Sequence, residues 1–284
     1  MKKNRIAAFL LSLSLLGVTV LTGCSSQNNN QAAQPSASES SQTETGSDLL
    51  AQIREKGEIV IAMEGTWAPW TYHDENDELV GYDVEVGKAI AEKLGVTATF
   101  VEGEWDGLLA GLDAGRYDIM VNGVGITPER QEKYDFTTPY AYNRTAVIVR
   151  GDYNEIASTE DLNGKNTANT ISSTYAEQAE AYGATVTGVD DLNQTIELLL
   201  AGRIDATLNA EVVFADYQNA HPEANIKIAA YSDDVEQVAI PVRKGTDTAT
   251  LLEAINQALA ELDADGTLSE LSVKYFGTDI SKLS

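Results

Sequence analysis

The sequence predicts an α/β fold with a largely parallel sheet, divided between two similar lobes. Strand-like and helix-like hydrophobic periods alternate from residue 48 onward, and that alternation is the mark of a parallel sheet crossed by helices. A five-residue phrase also occurs twice, as Ala114-Gly115-Arg116-Tyr117-Asp118 and Ala201-Gly202-Arg203-Ile204-Asp205. A chain of 284 residues has the length of about two domains. It is long enough to bury a core without disulfide or metal staples.

The elements follow in order. Lys2, Lys3 and Arg5 precede a run, residues 6–21, that is almost wholly apolar or small. This is the shape of a secretory signal and too short for a comfortable membrane span. It ends in Leu21-Thr22-Gly23-Cys24, which resembles the bacterial lipobox and contains the only cysteine of the chain. The expected layout is a signal peptide over 1–23, then a lipidated Cys24. Residues 25–47 are rich in Ser, Asn, Gln, Ala, Thr and Glu, with one proline and no aromatic. Such a stretch has too little apolar area to fold. It reads as a flexible tether spanning roughly 25 Å.

Ile59-Val60-Ile61-Ala62-Met63 is a buried-strand run. Asp83 is placed to cap a helix carrying Val86, Ile90 and Leu94, which Gly95 ends. Residues 97–102 read as a strand, Leu108, Leu109 and Leu112 as a helix stopping at Gly115, and residues 118–121 as another strand. In both copies of the repeated phrase the glycine closes a helix, and the Arg and Asp tie its end to the next strand. Residues 142–149 and 235–242 are extended and β-rich, candidates for two strands crossing between lobes. Helices over 251–262 and 268–275, split by Gly266, are expected on the first lobe. Lobe one is then 48–143 plus 241–284, and lobe two is 144–240.

Composition excludes several functions. There are 19 Lys and Arg against 44 Asp and Glu, a net charge of −25. No basic face is available for nucleic acid, and anionic lipid would repel the chain. One cysteine excludes a disulfide framework and a thiolate zinc site. Two histidines, His73 and His221, leave little for metal binding or histidine-based catalysis. Asp263-Ala264-Asp265-Gly266 lacks the twelve-residue spacing of a calcium loop and reads as a turn between helices. His73-Asp74-Glu75-Asn76-Asp77-Glu78 reads as a solvated hairpin turn. No metal site and no cofactor are expected.

Three groups of residues are suited to grip a ligand. Thr127-Pro128-Glu129-Arg130 has an N-cap, a proline for the first helical position and an acid for the positive helix end. This puts Arg130 in the first turn, where a guanidinium is a carboxylate receptor. The alternative is a surface arginine paired with Glu129 or Asp135. Ser172-Ser173-Thr174 precedes an Ala-rich helix and offers hydroxyls and N–H groups as a second anion cradle, or only an N-cap. Trp67, Trp70 and Trp105 follow strand ends, the place where open α/β sheets bind ligands. Trp70 suits the core, and Trp67, in a loop before Ala68-Pro69, suits a ligand.

Over about residues 50–280 the chain resembles the bacterial amino-acid-binding lipoproteins that serve ATP-driven importers, the extracellular solute-binding family 3. The stretches that carry this are Gly81-Tyr82-Asp83-Val84-Glu85-Val86, then Asn122-Gly123-Val124-Gly125-Ile126-Thr127-Pro128-Glu129-Arg130, then Tyr134-Asp135-Phe136-Thr137-Thr138-Pro139-Tyr140, and Lys274-Tyr275-Phe276-Gly277 at the end. The resemblance implies a two-lobe periplasmic-binding fold of type II with two crossover hinge strands. It implies that Arg130 binds an α-carboxylate, with Ser173 and Thr174 completing that site from lobe two. Glu64 and Trp67 match positions contacting the α-amino group and side chain, and Trp105 matches one packing on the ligand. Gly123 and Gly125 match the bed where backbone approaches it; many relatives carry Ser or Thr at the second.

The sequence departs from the family at Ala210, where an aspartate usually pairs with the ammonium. Either Glu211 or Glu64 substitutes, or the ligand is not an ordinary α-amino acid. The Val-Gly-Ile-Thr-Pro-Glu-Arg stretch and the turn at 172–174 look most like cystine or cysteine binders, and Gly125 is expected to leave room for a longer ligand. The implied function is capture of an amino acid, cystine or another polar one, by hinge closure and its delivery to the membrane permease of an ABC importer. The protein would be a monomer, held by lipid at the extracytoplasmic face of the cell membrane, with no catalytic residues. Two alternatives are a periplasmic enzyme on the same scaffold, such as a cyclohexadienyl dehydratase, and a ligand-sensing receptor subunit.

Overall fold

The computed structural model describes residues 48–283. The signal segment, Cys24 and the tether therefore lie outside the described residues. Helix α1 (Leu49–Lys56) opens on Asp48, whose carboxylate accepts the Ala51 N–H, and closes on Gly57. Strand β1 (Glu58–Met63) follows. Strands β2 (Thr66–Trp67), β3 (Thr71–His73) and β4 (Leu79–Val80) form a small antiparallel sheet in that order. The acidic stretch after His73 is the β3–β4 turn, with Asp74 accepting the N–H groups of Asn76 and Glu78.

Helix α2 (Tyr82–Leu94) starts two residues earlier than a cap at Asp83 would place it. Its N-cap is Gly81 at φ 132°, and Trp70 backbone lies where a Gly81 side chain would be. The first N–H groups, of Tyr82 and Asp83, donate to the carbonyls of Pro69 and Trp70. Backbone satisfies the helix start, so the Asp83 carboxylate is free to turn inward, where it is fully buried.

Strand β5 (Thr97–Glu102), helix α3 (Trp105–Asp113) and strand β6 (Ile119–Met120) complete a parallel sheet of order β5-β1-β6. Ile59, Ile61 and Met63 of β1 belong to one buried cluster with Val86 and Ile90 of α2. Ala62 and Met120 belong to another with Trp105, Leu108 and Leu112 of α3. After helix α4 (Pro128–Lys133) and strand β7 (Tyr134–Phe136), strand β8 (Ala141–Arg150) leads into a second sheet. That sheet is built from β9 (Asn166–Asn169), helix α5 (Thr174–Ala181), β10 (Thr185–Gly188), helix α6 (Leu192–Leu200), β11 (Ala206–Ala210), helix α7 (Glu211–Ala220) and β12 (Ile226–Val238). Its order is β10-β9-β11-β8-β12, with β10, β9 and β11 parallel and β8 antiparallel to both neighbours.

The chain thus leaves through β8 and returns through β12, which pair from Ala141 opposite Val238 to Arg150 opposite Ile226. The return strand ends at Val238. Residues 241 and 242, expected to continue it, belong instead to β13 (Pro241–Arg243), which pairs with β7. Helices α8 (Ala249–Ala264) and α9 (Thr267–Phe276), with Gly266 at their junction, pack on α2 as expected.

The repeated phrase marks equivalent structure. Gly115 and Gly202 have φ of 64° and 68°. Asp118 donates its N–H to the Val60 carbonyl and accepts the Val60 N–H on its carboxylate. Asp205 does the same with Asn166. The arginines join this tie through their backbone N–H, to the carbonyls of Gly111 and Leu198. Each aspartate stitches a strand to the start of its parallel neighbour, so its side chain does the work of a missing ladder bond.

Candidate functional site

Thr127 caps α4 as its sequence predicts, its hydroxyl oxygen accepting the Arg130 N–H at 3.1 Å. The helix start aims Arg130 inward, and the side chain is 6% exposed. Its guanidinium donates to the Gly125 carbonyl at 3.0 Å and, across to the second sheet's half, to the Ser172 carbonyl at 2.9 Å. It lies 5.3 Å from the centre of the Trp105 ring. Glu129 pairs instead with Lys133. Among the described residues no carboxylate forms an ion pair with Arg130, and burial pulls its pKa downward. A desolvated cation is costly; the charges of Glu177 and Glu236 oppose that cost without forming an ion pair, and a ligand carboxylate is a group that would relieve it directly.

Arg130 borders a cavity lined from the sides of both sheets. Glu64, Trp67, Trp105 and Gly123 line it from the side of the first sheet, Ser173 and Thr174 from the side of the second. Ser173 is the N-cap of α5, accepting the Ala176 N–H and donating to the Thr170 carbonyl. The Thr174 hydroxyl donates to Glu236 at 2.8 Å. Trp67 stacks on Trp70 at 5.4 Å and donates its indole N–H to Asn209. Trp70 is core, packed on Tyr82 and Phe276. The Trp105 indole N–H is buried and without a partner among the described residues.

Glu64 is held in a reciprocal pair with Asn122. Its N–H donates to the Asn122 oxygen and its carboxylate accepts from the Asn122 nitrogen, both at 2.7 Å. Burial pushes its pKa up to about 7, against the Asn122 hydrogen bond and with the help of Asp191 and Asp106. Gly123, at φ 56°, donates its N–H to Asp83 at 2.6 Å. Asp83 also accepts the Tyr140 hydroxyl, and burial holds its pKa up at about 7. The Asp83 of the signature stretch is thus a buried clamp on the glycine bed, a role hidden in sequence because the partner is 40 residues away.

Two expectations need correction. Glu211 does not line the cavity. As first residue of α7 it pairs with Arg144 of β8 at 3.1 Å. Gly125 does not open the cavity for a longer ligand either. It stands behind Arg130, and the space a side chain would take there is filled by the Glu236 carboxylate.

The lining residues missed in sequence are chiefly Asn169, Asp191, Thr195 and Asn209. Asn169 falls at the end of β9, Asn209 near the end of β11, and Asp191 caps α6 just after β10. Polar residues at the carboxyl ends of parallel strands were the available signal. Hydrogen bonds between three residue pairs tie the two halves over this cavity: Arg130 to Ser172, Trp67 to Asn209, and Ser172 to Asp106. Among the described residues no cluster of His, Cys, Asp and Glu is arranged to hold a metal ion, and no helix is long and apolar enough to cross a membrane.

A cavity between two sheets joined by paired crossing strands, with a buried arginine in its wall, is the plan of a solute-binding protein. The chain belongs to the bacterial extracellular solute-binding proteins, family 3, whose pattern matches residues 59–278. It is 36% identical over 283 residues, 99% of this chain and 100% of the relative, to the L-cystine-binding protein TcyA of Bacillus subtilis (strain 168). Among solved structures it is similar to an ancestral arginine-binding protein bound to arginine, with a TM-score of 0.73 and 36% identity, covering 78% of this chain and 99% of that one. It is also similar to the L-cystine solute receptor of Neisseria gonorrhoeae in the unliganded open conformation, with 41% identity over 83% of this chain and 99% of that one, but a TM-score of only 0.57.

Proposed function

We propose that the protein captures an amino acid, L-cystine foremost, and delivers it to the permease of an ABC importer. The observation that carries this reading is Arg130: a buried guanidinium in the cavity wall, bonded to both halves and, among the described residues, in no ion pair with a carboxylate. The whole-length likeness to an L-cystine-binding protein supports the choice of ligand. Residues 48–143 with 241–284 act as one lobe and 144–240 as the other, and β8 and β12 are the hinge. A ligand held by Arg130 on one side and by Ser173 and Thr174 on the other binds the shut form better than the open one, and so shifts the population toward it. The protein works as a monomer without cofactor or catalytic residue, and lipid on Cys24 keeps it at the extracytoplasmic face of the cell membrane.

The test is a thermal-shift panel of the common amino acids with L-cystine included, followed by calorimetry on each hit. A rise in melting temperature with L-cystine, saturating at one ligand per chain, is expected. No shift with any amino acid overturns the reading, and turnover of prephenate by the purified protein replaces it with an enzyme.

A further inference from the structure

The cavity wall sorts its polar atoms by kind. Arg130 and the unpartnered Trp105 indole N–H are donors. Glu64, Asp191 and Asn169 supply acceptors. Asn169 is 4% exposed. Its amide nitrogen donates to the Leu208 carbonyl at 2.7 Å, which fixes the group and leaves Oδ1 buried with no hydrogen bond among the described residues. A buried acceptor without a donor costs free energy. Asp191 spends Oδ1 on capping α6, accepting the Gln194 N–H at 2.9 Å. Among the described residues its Oδ2 takes no hydrogen bond and no cation pairs with it. The Glu64 carboxylate meets only the Asn122 amide, and the charge of Asp191 works against the ionisation of Glu64.

Two carboxylates and an idle amide oxygen lining one cavity from its two sides, with no cation paired to them among the described residues, match a positively charged nitrogen. Ala210, at the end of β11, has no side-chain acceptor to give, and Glu211 is taken by Arg144. We propose that Asp191, with Glu64 and the Asn169 Oδ1, forms the cation-accepting subsite of this cavity and takes a protonated nitrogen of the ligand. Arg130 then holds the ligand's anionic end and Asp191 its cationic end. The inference rests on the amino-acid reading above and adds the residue that supplies the counter-charge.

The experiment is calorimetry at pH 8 with L-cystine, L-arginine and N,N′-diacetyl-L-cystine, which has no ammonium. It is run on the wild-type protein and on Asp191→Asn and Asp191→Ser. Both variants keep an oxygen that caps α6, and unchanged melting temperatures confirm the fold. Tenfold or greater loss of affinity in both variants is expected for whichever amino acid the wild type binds. The diacetyl compound should bind wild type weakly and the variants no worse. Affinity within twofold of wild type in a variant overturns the inference, as does equal loss of the acetylated and free ligands. Equal binding of both ligands by wild type overturns it without any variant. If wild type binds neither L-cystine nor L-arginine, the amino-acid reading falls first and takes this subsite with it.

Discussion

The carboxylate of Asp106, in the first turn of α3, accepts the hydroxyl of Ser172 at 2.5 Å and its backbone N–H at 3.2 Å. Ser172 in turn gives its carbonyl to Arg130. The turn before α5 is therefore gripped from the other half by an anion and a cation acting on the same residue. Asp106→Ala should loosen this latch, lowering ligand affinity about five- to thirtyfold, the effect of losing roughly 1 to 2 kcal/mol of hydrogen bonding. Calorimetry, with scattering to follow compaction on binding, checks this. Unaltered affinity would remove Asp106 from the closing contacts.

Arg130→Lys keeps the charge but loses the fork that reaches Gly125 and Ser172 at once. Affinity for the amino acid should fall at least tenfold, and Arg130→Ala should do no better. The fold should survive, because the α4 cap uses the backbone N–H of residue 130 and not its side chain. Binding within twofold of wild type in either variant would take the ligand's anionic end away from Arg130.

The two buried acids set the pH response. Glu64 and Asp83 are both held up at about 7 by burial. A carboxyl whose folded pKa lies above its unfolded one binds protons better in the folded state. The folded state therefore loses stability as pH rises from about 4.5 to about 7, by an order of 3 to 4 kcal/mol for each fully ionised group. The ligand-free protein should melt at a higher temperature at pH 5.5 than at pH 8, and Asp83→Asn should flatten that slope. A melting temperature that rises over this range would contradict it. A ligand cation near Glu64 should draw its pKa down and release protons on binding near neutral pH. Calorimetry in buffers of different ionisation enthalpy measures that release.

Gly125 and Gly123 should respond differently to alanine. At Gly125 the added carbon meets the Glu236 carboxylate, the mobile end of a side chain, and displaces it from Thr174. The expected result is weaker ligand binding with little change in melting temperature. At Gly123, with φ 56°, it meets the six-membered ring of Trp67 at 2.5 Å, and that ring is backed by Trp70. Overpacking of this kind costs about 1 to 3 kcal/mol, so Gly123→Ala should lower the melting temperature as well as close the cavity. Equal stability of the two variants would refute the distinction.

Cys24→Ala should move the protein from the membrane fraction to the soluble one. Continued sedimentation with membranes in fractionated cells would count against the lipid anchor.

Local chemistry carried most of what the sequence determined. Hydrophobic period placed β1, α2, β5 and the C-terminal helices, and Thr127-Pro128 fixed a helix start that turns Arg130 inward. The glycine of each repeated phrase marked the same helix end in both halves. Those features depend on neighbours within a few residues, so a linear reading reaches them. The tertiary structure decided what depends on long-range closure. It sent Asp83 from a helix cap to a clamp under Gly123, because the carbonyls of Pro69 and Trp70 had already satisfied the helix start. It gave Glu211 to Arg144, filled the space beside Gly125 with Glu236, and brought Asn169 and Asp191 to the cavity from strand ends with no spacing to announce them. Buried charge and hydrogen-bond partnership are settled by which groups meet after folding, and pairs such as Glu64 with Asn122, separated by 58 residues, meet only there.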